Sequence, residues 1–150
     1  LRENKTLQEL ELSKDDIDTA GVAEIADALR RENTTLQKLH FAENDIDDDD
    51  AKALAEALRA NETLEVLDLS HNNIDTEGAQ EIANALIENE TLEVLNLSHN
   101  NIGNEGAEAL AEALRANTTL QKLNLYGNNI DAKVAQAIAS PRIVFDLDWN

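Results

Sequence analysis

The stretch NETLEVLDLSHNNIDTEGAQEIANALIE (residues 61–88) is followed directly by NETLEVLNLSHNNIGNEGAEALAEALRA (residues 89–116), and the two match at 19 of 28 positions. Related copies flank this pair, and the starts of the five copies lie 29, 28, 28 and 28 residues apart. A fixed period of this length is typical of proteins in which each copy stacks on the next. We therefore predict a single domain over residues 1–150. Its repeats begin near Asn4, Asn33, Asn61, Asn89 and Asn117.

Each copy contains two apolar patterns. The first, LxxLxLxxNxI, places alternate leucines on one face of a strand, and in the third copy it runs from Leu64 to Ile74. The second spaces apolar residues three and four positions apart, from Ala79 to Leu86, and predicts a helix. One strand and one helix cannot bury their own leucines, but stacked copies with parallel strands can. Because strands pack about 4.8 Å apart and helices about 10 Å apart, we predict a curved α/β solenoid with strands on the concave face and helices on the convex face.

Polar residues also recur at fixed positions of the repeat. We expect the residue that follows each strand to bond backbone groups that the strand leaves unpaired. These residues are Asp15, Asn44, Asn72, Asn100 and Asn128. Thr19, Thr76 and Asn104 stand where the helices are expected to be capped. The N-x-T motif that begins every copy is interpreted as the turn from helix to strand, and it would carry glycans only in a secreted protein.

These motifs resemble the ribonuclease-inhibitor-like class of leucine-rich repeats, which is also found in NOD-like receptors and in Ran GTPase-activating protein. The shared marks are the 28-residue period, the LxxLxLxxNxI segment and the following G-A-x-x-[IL]-A-x-A-L helix, and they cover essentially the whole chain. The resemblance implies a curved solenoid. It implies no particular activity, because members of this class share a scaffold and not a chemistry.

The chain is strongly acidic, with a formal net charge of −19 from 31 acidic and 12 basic residues. This balance argues against nucleic acid and against an anionic membrane surface, since both bind clustered Lys and Arg. It favours solubility and would attract a basic protein partner. No apolar run approaches the roughly 18 residues that a membrane span requires. The absence of cysteine fits a cytoplasmic location, and we expect a monomer without a cofactor.

The two ends of the chain depart from the repeat. Leu1 aligns with the tail of a helix, so the sequence begins within a repeat. A shortened helix pattern with Pro141 precedes an expected terminal strand over 143–150, in which Val144 aligns with Lys122. Because the ends of a solenoid need polar caps, the first copy favours a fragment of a longer protein. A terminating cap at the carboxyl end is the alternative.

Two clusters are candidates for metal binding. An acidic run has part of the spacing of a calcium loop, formed by Asp45, Asp47, Asp49 and Glu56. Asp50 stands where that loop needs glycine, so we interpret the run as a solvated cap at the start of a helix. His71 and His99 occupy equivalent positions of adjacent copies, but no third ligand lies in register with them. We therefore predict no metal site and no catalytic residue.

Side chains between and beside the strand leucines form rows on the concave face, and they vary between copies while the leucines do not. We predict that this face binds a protein partner, with Tyr126 and Trp149 as aromatic anchors. For Trp149, covering the end of the core is the alternative. The predicted contact residues are Glu11, Lys38, His40, Asp68, His71, Asn96, His99, Lys122, Asn124, Tyr126 and Trp149.

Three functions remain open at the level of sequence. A protein-interaction module is the preferred interpretation. The near-identical copies and the lack of Met and Cys also fit a designed or purely structural scaffold without a natural partner. The resemblance to Ran GTPase-activating protein raises regulation of a GTPase as a third hypothesis, although no catalytic residue of that activity can be matched here. The expectation is a protein that is not an enzyme.

Overall fold

The computed structural model describes residues 1–31 and 33–145, which form alternating strands and helices. The strands are β1 (Glu9–Glu11), β2 (Lys38–His40), β3 (Val66–Asp68), β4 (Val94–Asn96), β5 (Lys122–Asn124) and β6 (Ile143–Val144). The helices are α1 (Thr19–Arg31), α2 (Asp48–Ala60), α3 (Thr76–Glu88), α4 (Gly103–Ala116) and α5 (Ala132–Ala137). Residues 146–150 of the expected terminal strand lie outside the described residues.

The strands form one parallel sheet in the order of the sequence, from β1 to β6. Equivalent residues of the first five strands lie side by side, as Leu39, Leu67 and Leu95 do. The helices pack in the same order, α1 on α2, α2 on α3 and α3 on α4. Each copy therefore contributes one strand and one helix to a stack. This confirms the predicted α/β solenoid.

The core is a continuous column of aliphatic side chains between the sheet and the helices. Leu67 and Leu95 from the strands are at most 1% exposed, and Ala79 on α3 is fully buried. At Gly106 on α4, an added Cβ atom would lie 2.6 Å from Cγ2 of Ile102 and 3.1 Å from Cβ of Ala79. Small residues are therefore required where one helix packs against the preceding one.

The helix caps lie one residue earlier than the sequence pattern predicts. Asp75 precedes α3, and its carboxylate accepts a hydrogen bond from the backbone N–H of Glu77 at 2.8 Å. Asp18 does the same for Gly21 at the start of α1, also at 2.8 Å. The prediction that Thr19 and Thr76 are caps is therefore wrong, because both are the first residues of their helices. The aspartate carboxylate, one residue earlier, reaches the free N–H groups of the first turn.

The cap predicted at Asn104 is also wrong. Helix α4 begins at Gly103, so that Asn104 lies within its first turn. The Asn104 amide pairs instead with the neighbouring copy: its Nδ2 donates to Oδ2 of Asp131 at 2.8 Å, and its Oδ1 accepts from the N–H of Asp131 at 2.9 Å. The side chain therefore connects two copies of the repeat.

The asparagines after the strands form a ladder between neighbouring copies, which we call the strand-exit ladder. The Nδ2 of Asn72 donates to the carbonyl of Phe41 in the preceding copy at 3.0 Å and to that of Leu69 in its own copy at 3.1 Å. Its Oδ1 accepts from the N–H groups of Asn44 at 2.9 Å and Ile46 at 3.0 Å. Equivalent bonds confirm the predicted role for the asparagines of the second to fifth copies. The ladder consists of Asn44, Asn72, Asn100 and Asn128.

A second ladder runs through the N-x-T turns, and we call it the turn ladder. The Oδ1 of Asn89 accepts from the N–H groups of Thr91 at 3.0 Å and Leu92 at 2.8 Å, while its Nδ2 donates to the carbonyl of Leu58 at 2.7 Å. This confirms that the motif makes the turn from helix to strand. The ladder consists of Asn33, Asn61, Asn89 and Asn117, which are 3 to 5% exposed. These four amides therefore leave no space for a glycan, whereas Asn4 is exposed.

At the carboxyl end, Arg142 stands in for the next asparagine of the turn ladder. One guanidinium nitrogen donates to the carbonyls of Asn117 at 2.8 Å and Leu120 at 3.1 Å, and the other donates to the carbonyl of Leu114. Asn117 makes the corresponding bonds one copy earlier, to the carbonyls of Leu86 and Asn89. The guanidinium therefore satisfies the last carbonyls of the ladder.

The register of the last strand differs from the expected one. Val144 pairs with Asn124, and Ile143 pairs with Leu123, so the strand is displaced by two residues from the alignment of Val144 with Lys122. Helix α5 spans only six residues, and the side chain of Ile143 is 8% exposed. The shorter connection brings Ile143, and not Phe145, to the buried position of the strand.

Candidate protein-interaction surface

The strand face carries its side chains in rows, because the strands pair without slippage. In one row, the half-buried Val66 and Val94 lie side by side between Lys38 and Lys122. Lys38 also lies 3.9 Å from the carboxylate of Glu9. This row therefore presents a central apolar pair between two basic residues.

The neighbouring row contains five of the predicted contact residues: Glu11, His40, Asp68, Asn96 and Asn124. Four of them accept a hydrogen bond from the backbone N–H two residues later, at 2.9 to 3.1 Å. In Glu11, hydrogen bonding from Ser13 lowers the pKa of the carboxyl group. Asn96 and Asn124 are only 8% and 4% exposed. These two amides therefore mainly shape the end of the strand and offer little surface to a partner.

The loops that leave the strands form a third row, which we call the ledge; it consists of Lys14, Glu43, His71, His99 and Gly127. All five residues have positive φ angles, between 55° and 70°. At one end of the ledge, the Lys14 ammonium lies 3.1 Å from the Glu43 carboxylate. The ledge adjoins the strand face, since each of its residues follows the strand by a few positions.

Aromatic rings occupy the middle of the ledge. The rings of His71 and His99 are stacked, with centroids 4.2 Å apart and planes inclined by 15°. Tyr126 meets His99 edge to face, with centroids 5.0 Å apart. A Cβ atom at Gly127 would lie 2.8 Å from Nδ1 of His99, so glycine leaves space for this ring. The structure therefore brings together three of the predicted contact residues in one cluster.

The stacked arrangement does not resemble a metal site. The lone pairs of an imidazole lie in the ring plane, so two nearly parallel rings direct their nitrogens side by side and not toward one point. Within residues 1–31 and 33–145, no group of three His, Asp or Glu side chains is arranged to hold a metal ion. The pair is therefore best described as an aromatic surface.

The acidic run at the start of α2 stabilises the N-termini of two helices. The Asp47 carboxylate accepts from the N–H of Asp50 at 3.1 Å and caps α2. Asp48 extends to the next copy, where its carboxylate accepts from the N–H groups of Asp75 at 2.9 Å and Gly78 at 3.1 Å. These contacts confirm the interpretation as a helix cap.

Asp50 is the exception to the expectation that this run is solvated, since it is only 4% exposed. Its carboxylate accepts from the backbone N–H of Asp47 at 3.4 Å and lies 3.5 Å from the hydroxyl of Thr19. Burial raises the pKa of Asp50, and the negative charge of Asp47 adds to this increase. Three of the other copies have glycine here, as at Gly78, so this position was identified from sequence but its burial was not.

A groove at the amino-terminal ends of the strands was not predicted. It has a volume of about 710 Å³. Its middle is formed by the E-T-L-E segments of the third and fourth copies, which contribute Glu62, Thr63, Glu65, Glu90, Thr91 and Glu93. The repeated acidic pair in these two segments was the available signal. The groove concentrates four carboxylates on one surface.

Two further predictions concern Trp149 and the membrane. Trp149 lies outside the described residues. Among the helices that the structure describes, none is long and apolar enough to cross a membrane.

Comparison with known proteins supports the architecture. A family model described as Leucine Rich repeat matches residues 3–26, 32–55, 60–83, 88–111 and 116–139. No curated protein sequence matches the chain.

The chain is also similar to solved structures. The chain is similar to leiomodin-1 actin-binding site 2, with 28% sequence identity and a TM-score of 0.71 over 90% of this chain and 80% of that one. It is also similar to a tropomodulin C-terminal domain from Caenorhabditis elegans, with 16% identity and a TM-score of 0.78 over 91% of this chain and 83% of that one. The second likeness concerns the fold alone. Since the family model covers most of the sequence in five consecutive matches, the chain belongs to the leucine-rich repeat family.

Proposed function

We propose that this domain is a protein-interaction module that binds its partner through the strand face and the ledge. The observation that carries the proposal is the contrast along each strand between buried and open positions. Leu67 and Leu95 are the same in adjacent copies and are buried, whereas side chains beside them vary and reach the surface, as Asp68 does. Variable side chains on a rigid scaffold are typical of a binding surface, where a few anchors carry most of the affinity.

Within this surface, the His71, His99 and Tyr126 cluster is the proposed anchor. Tyrosine is enriched among residues that dominate binding energy, and ring stacking fixes these side chains before a partner arrives. His40, Asp68, Lys38 and Lys122 would supply the surrounding polar contacts. This choice leaves Asn96 and Asn124 with a structural role, because both are buried.

A photo-crosslinking experiment tests this surface. A photoreactive amino acid placed at Val94 on the strand face is expected to capture the partner in cells that express the protein. The matched control is the same amino acid at Asn84, which is exposed on α3. Capture at Val94 but not at Asn84 supports the proposal. Equal capture at both positions argues against the strand face, and absence of capture at both favours the scaffold without a partner.

The partner is proposed to be basic. The chain has a formal net charge of −19, and the groove before the strands adds four carboxylates on one edge of the sheet. Complementary charge mainly raises the rate of association and is screened by salt. Replacing Glu65 and Glu93 by Gln is expected to slow association with a captured partner. The control replaces Glu77 and Glu105 on the helices, which changes the net charge equally.

Actin is a second candidate partner, favoured by the likeness to leiomodin-1 actin-binding site 2 at 28% identity. Cosedimentation with actin filaments and an assay of actin assembly test it directly. Binding that the variant Tyr126→Ala weakens would join this candidate to the proposed surface. If neither assay responds at high protein concentration, actin is excluded.

We further propose that the domain has no enzymatic activity and acts in the cytoplasm. Within the described residues, the polar clusters other than the acidic groove are helix caps, ladders and surface pairs. A GTP hydrolysis assay with candidate GTPases tests the regulatory alternative. Stimulated hydrolysis would overturn the proposal of a purely binding domain.

A further inference from the structure

The most unusual chemical feature of the surface is the pair of imidazole rings on the ledge. The rings of His71 and His99 lie 4.2 Å apart and nearly parallel, a separation at which two neutral rings attract each other. The same separation is less favourable for two imidazolium ions, since like charges at this distance repel each other. The stack is therefore most favourable with at most one proton on the pair.

We propose that the His71–His99 stack is a pH-sensitive element of the ledge, closed at neutral pH and opened when acid protonates both rings. This inference rests on the proposed function only in its biological meaning, because an open stack would change the surface offered to a partner. The opening itself is a property of the free domain.

The surroundings of the two rings are unequal. On the side of the second copy, Glu43 occupies the ledge position before His71, and Lys14 pairs with it at 3.1 Å. The same loop contributes Asp45, whose carboxylate accepts a hydrogen bond from Asn73 at 3.3 Å. A positive charge on His71 therefore has carboxylates on the adjoining loop.

On the other side of the pair, His99 faces the loop that follows β5. That loop contributes Tyr126, which meets His99 edge to face at 5.0 Å, and Gly127, whose missing side chain accommodates the ring. It also contains Asn129, so none of these three residues carries a negative charge in acid. A positive charge on His99 therefore faces His71 on one side and uncharged groups on the other.

The pKa of His99 agrees with this geometry. Burial lowers it below the usual value of 6.5, and the neighbouring His71 lowers it further. The fold thus favours neutral His99. The contribution of the stack to the free energy of unfolding is fully present above pH 6.5. It decreases as the pH falls toward the lowered pKa of His99. Acid therefore weakens the stack in the direction that the ring geometry requires.

The backbone limits how the rings can respond. Both histidines have a φ angle of 55°, which holds their Cα–Cβ bonds in fixed directions on the ledge. The backbone N–H of His71 donates to the carbonyl of Ser98 at 2.9 Å, and that of His99 donates to the carbonyl of Tyr126 at 2.7 Å. Repulsion would therefore be relieved by side-chain rotation, while the ladder of backbone bonds stays in place.

An NMR titration of the free domain tests the inference without a partner. The Cε1–Hε1 signals of the three histidines are followed from neutral to acidic pH in the natural sequence and in His71→Asn. Asparagine is the replacement because it tolerates positive φ angles. We expect the midpoint of His99 to rise in His71→Asn, since the like charge is removed. The control is His40→Asn, which removes the third histidine and should leave the His99 midpoint unchanged.

A second measurement needs no variant. Nuclear Overhauser contacts between the two imidazole rings are expected at neutral pH and should disappear below the midpoints of both histidines. Two results would overturn the inference: an unchanged His99 midpoint in His71→Asn, or ring contacts that persist when both rings are protonated. Because these experiments use the free domain, their failure is distinct from failure to find a partner on the strand face.

Discussion

The amide of Asn89 makes three short hydrogen bonds although it belongs to an N-x-T motif that would otherwise suggest a glycan. Its oxygen accepts from two backbone N–H groups of its own turn, and its nitrogen donates to the carbonyl of Leu58 in the last turn of α2, the helix of the preceding copy. A single side chain therefore fixes the turn and joins two copies. The value of the residue lies in carrying both a donor and an acceptor, which neither serine nor aspartate offers in this form.

Replacing Asn89 by Ala is expected to destabilise the domain strongly. The substitution leaves buried backbone groups without partners, which costs on the order of 3 kcal/mol in the free energy of unfolding. Urea denaturation followed by circular dichroism measures the change. Asn101→Ala is the matched control, since Asn101 is exposed, and it should shift stability by less than about 0.5 kcal/mol. Equal effects of the two substitutions would contradict the role of the turn ladder.

Asp50 supports a prediction of opposite sign. Because burial raises its pKa in the fold, the ionised carboxylate lowers stability at neutral pH, and this cost disappears as the pH falls through the raised pKa toward 3.8. Asp50→Asn should therefore be more stable than the natural sequence at pH about 7, and the advantage should shrink on acidification.

Urea denaturation at several pH values measures this difference. Asp49→Asn is the control, since Asp49 is exposed and its replacement removes the same formal charge. The prediction fails if the two variants gain equally, or if the gain from Asp50→Asn grows as the pH falls.

At the scale of the elements, the last strand is held by a contact that differs in chemistry from those before it. Arg142 reaches the carbonyls of Leu114, Asn117 and Leu120, and its own carbonyl accepts from the N–H of Leu123 at 2.7 Å. An arginine offers several donors but no acceptor, so it satisfies a row of carbonyls without preparing another turn. The connection between α5 and β6 thus closes the turn ladder.

Arg142→Ala should loosen β6 while the rest of the sheet stays intact. The free energy of unfolding of the last repeat is expected to fall by on the order of 2 kcal/mol, because three carbonyls lose their donor. Hydrogen exchange should become faster at the amides of Leu123 and Leu125 and remain unchanged in β2 and β3. Arg115→Ala is the control, since Arg115 is exposed on α4. Uniformly faster exchange along the whole chain would contradict a local role.

The elements also show how far a sequence pattern can be read. Repetition made the strands, helices and strand-exit asparagines predictable, because each copy independently reports the same spacing. The caps were displaced by one residue, since threonine and aspartate are adjacent and both are good caps; only geometry distinguishes Asp75 from Thr76. The register of β6 was not predictable, because the short α5 and Arg142 have no counterpart in the other copies.

The candidate surface was predictable only in part. Strand periodicity identified which residues leave the core, and the structure brings His71, His99 and Tyr126 into contact. The sequence pattern could not show that Asn96 and Asn124 turn back to bond the backbone, since a polar side chain at a strand end can face either way. The acidic groove was not predicted because its residues lie before the strands, whereas the prediction considered only the rows beside the strand leucines.

At the scale of the whole molecule, charge dominates the expected behaviour in solution. With 31 acidic and 12 basic residues, the folded chain repels itself more than the expanded one does. Raising the salt concentration from about 10 mM to about 150 mM should therefore increase the urea midpoint, because screening shortens the reach of these repulsions. A midpoint that is unchanged or lowered by salt would show that surface ion pairs, such as Lys14–Glu43, outweigh the repulsion.

The two asparagine ladders have a consequence for how such a chain can grow. Every copy brings one donor that the preceding copy needs and one row of carbonyls that the following copy will use, as the bonds from Asn61 to Leu29 and from Asn89 to Leu58 illustrate. Duplication of one whole 28-residue unit therefore inserts a part that is already complementary on both sides. An insertion between the N-x-T turn and the strand-exit asparagine breaks the register of both ladders, whereas the 29-residue spacing from Asn4 to Asn33 leaves the bonds of Asn33 and Asn44 to the first copy in place. The gene can thus lengthen or shorten in units of one repeat, and the surface can diversify afterwards without any change to the two ladders.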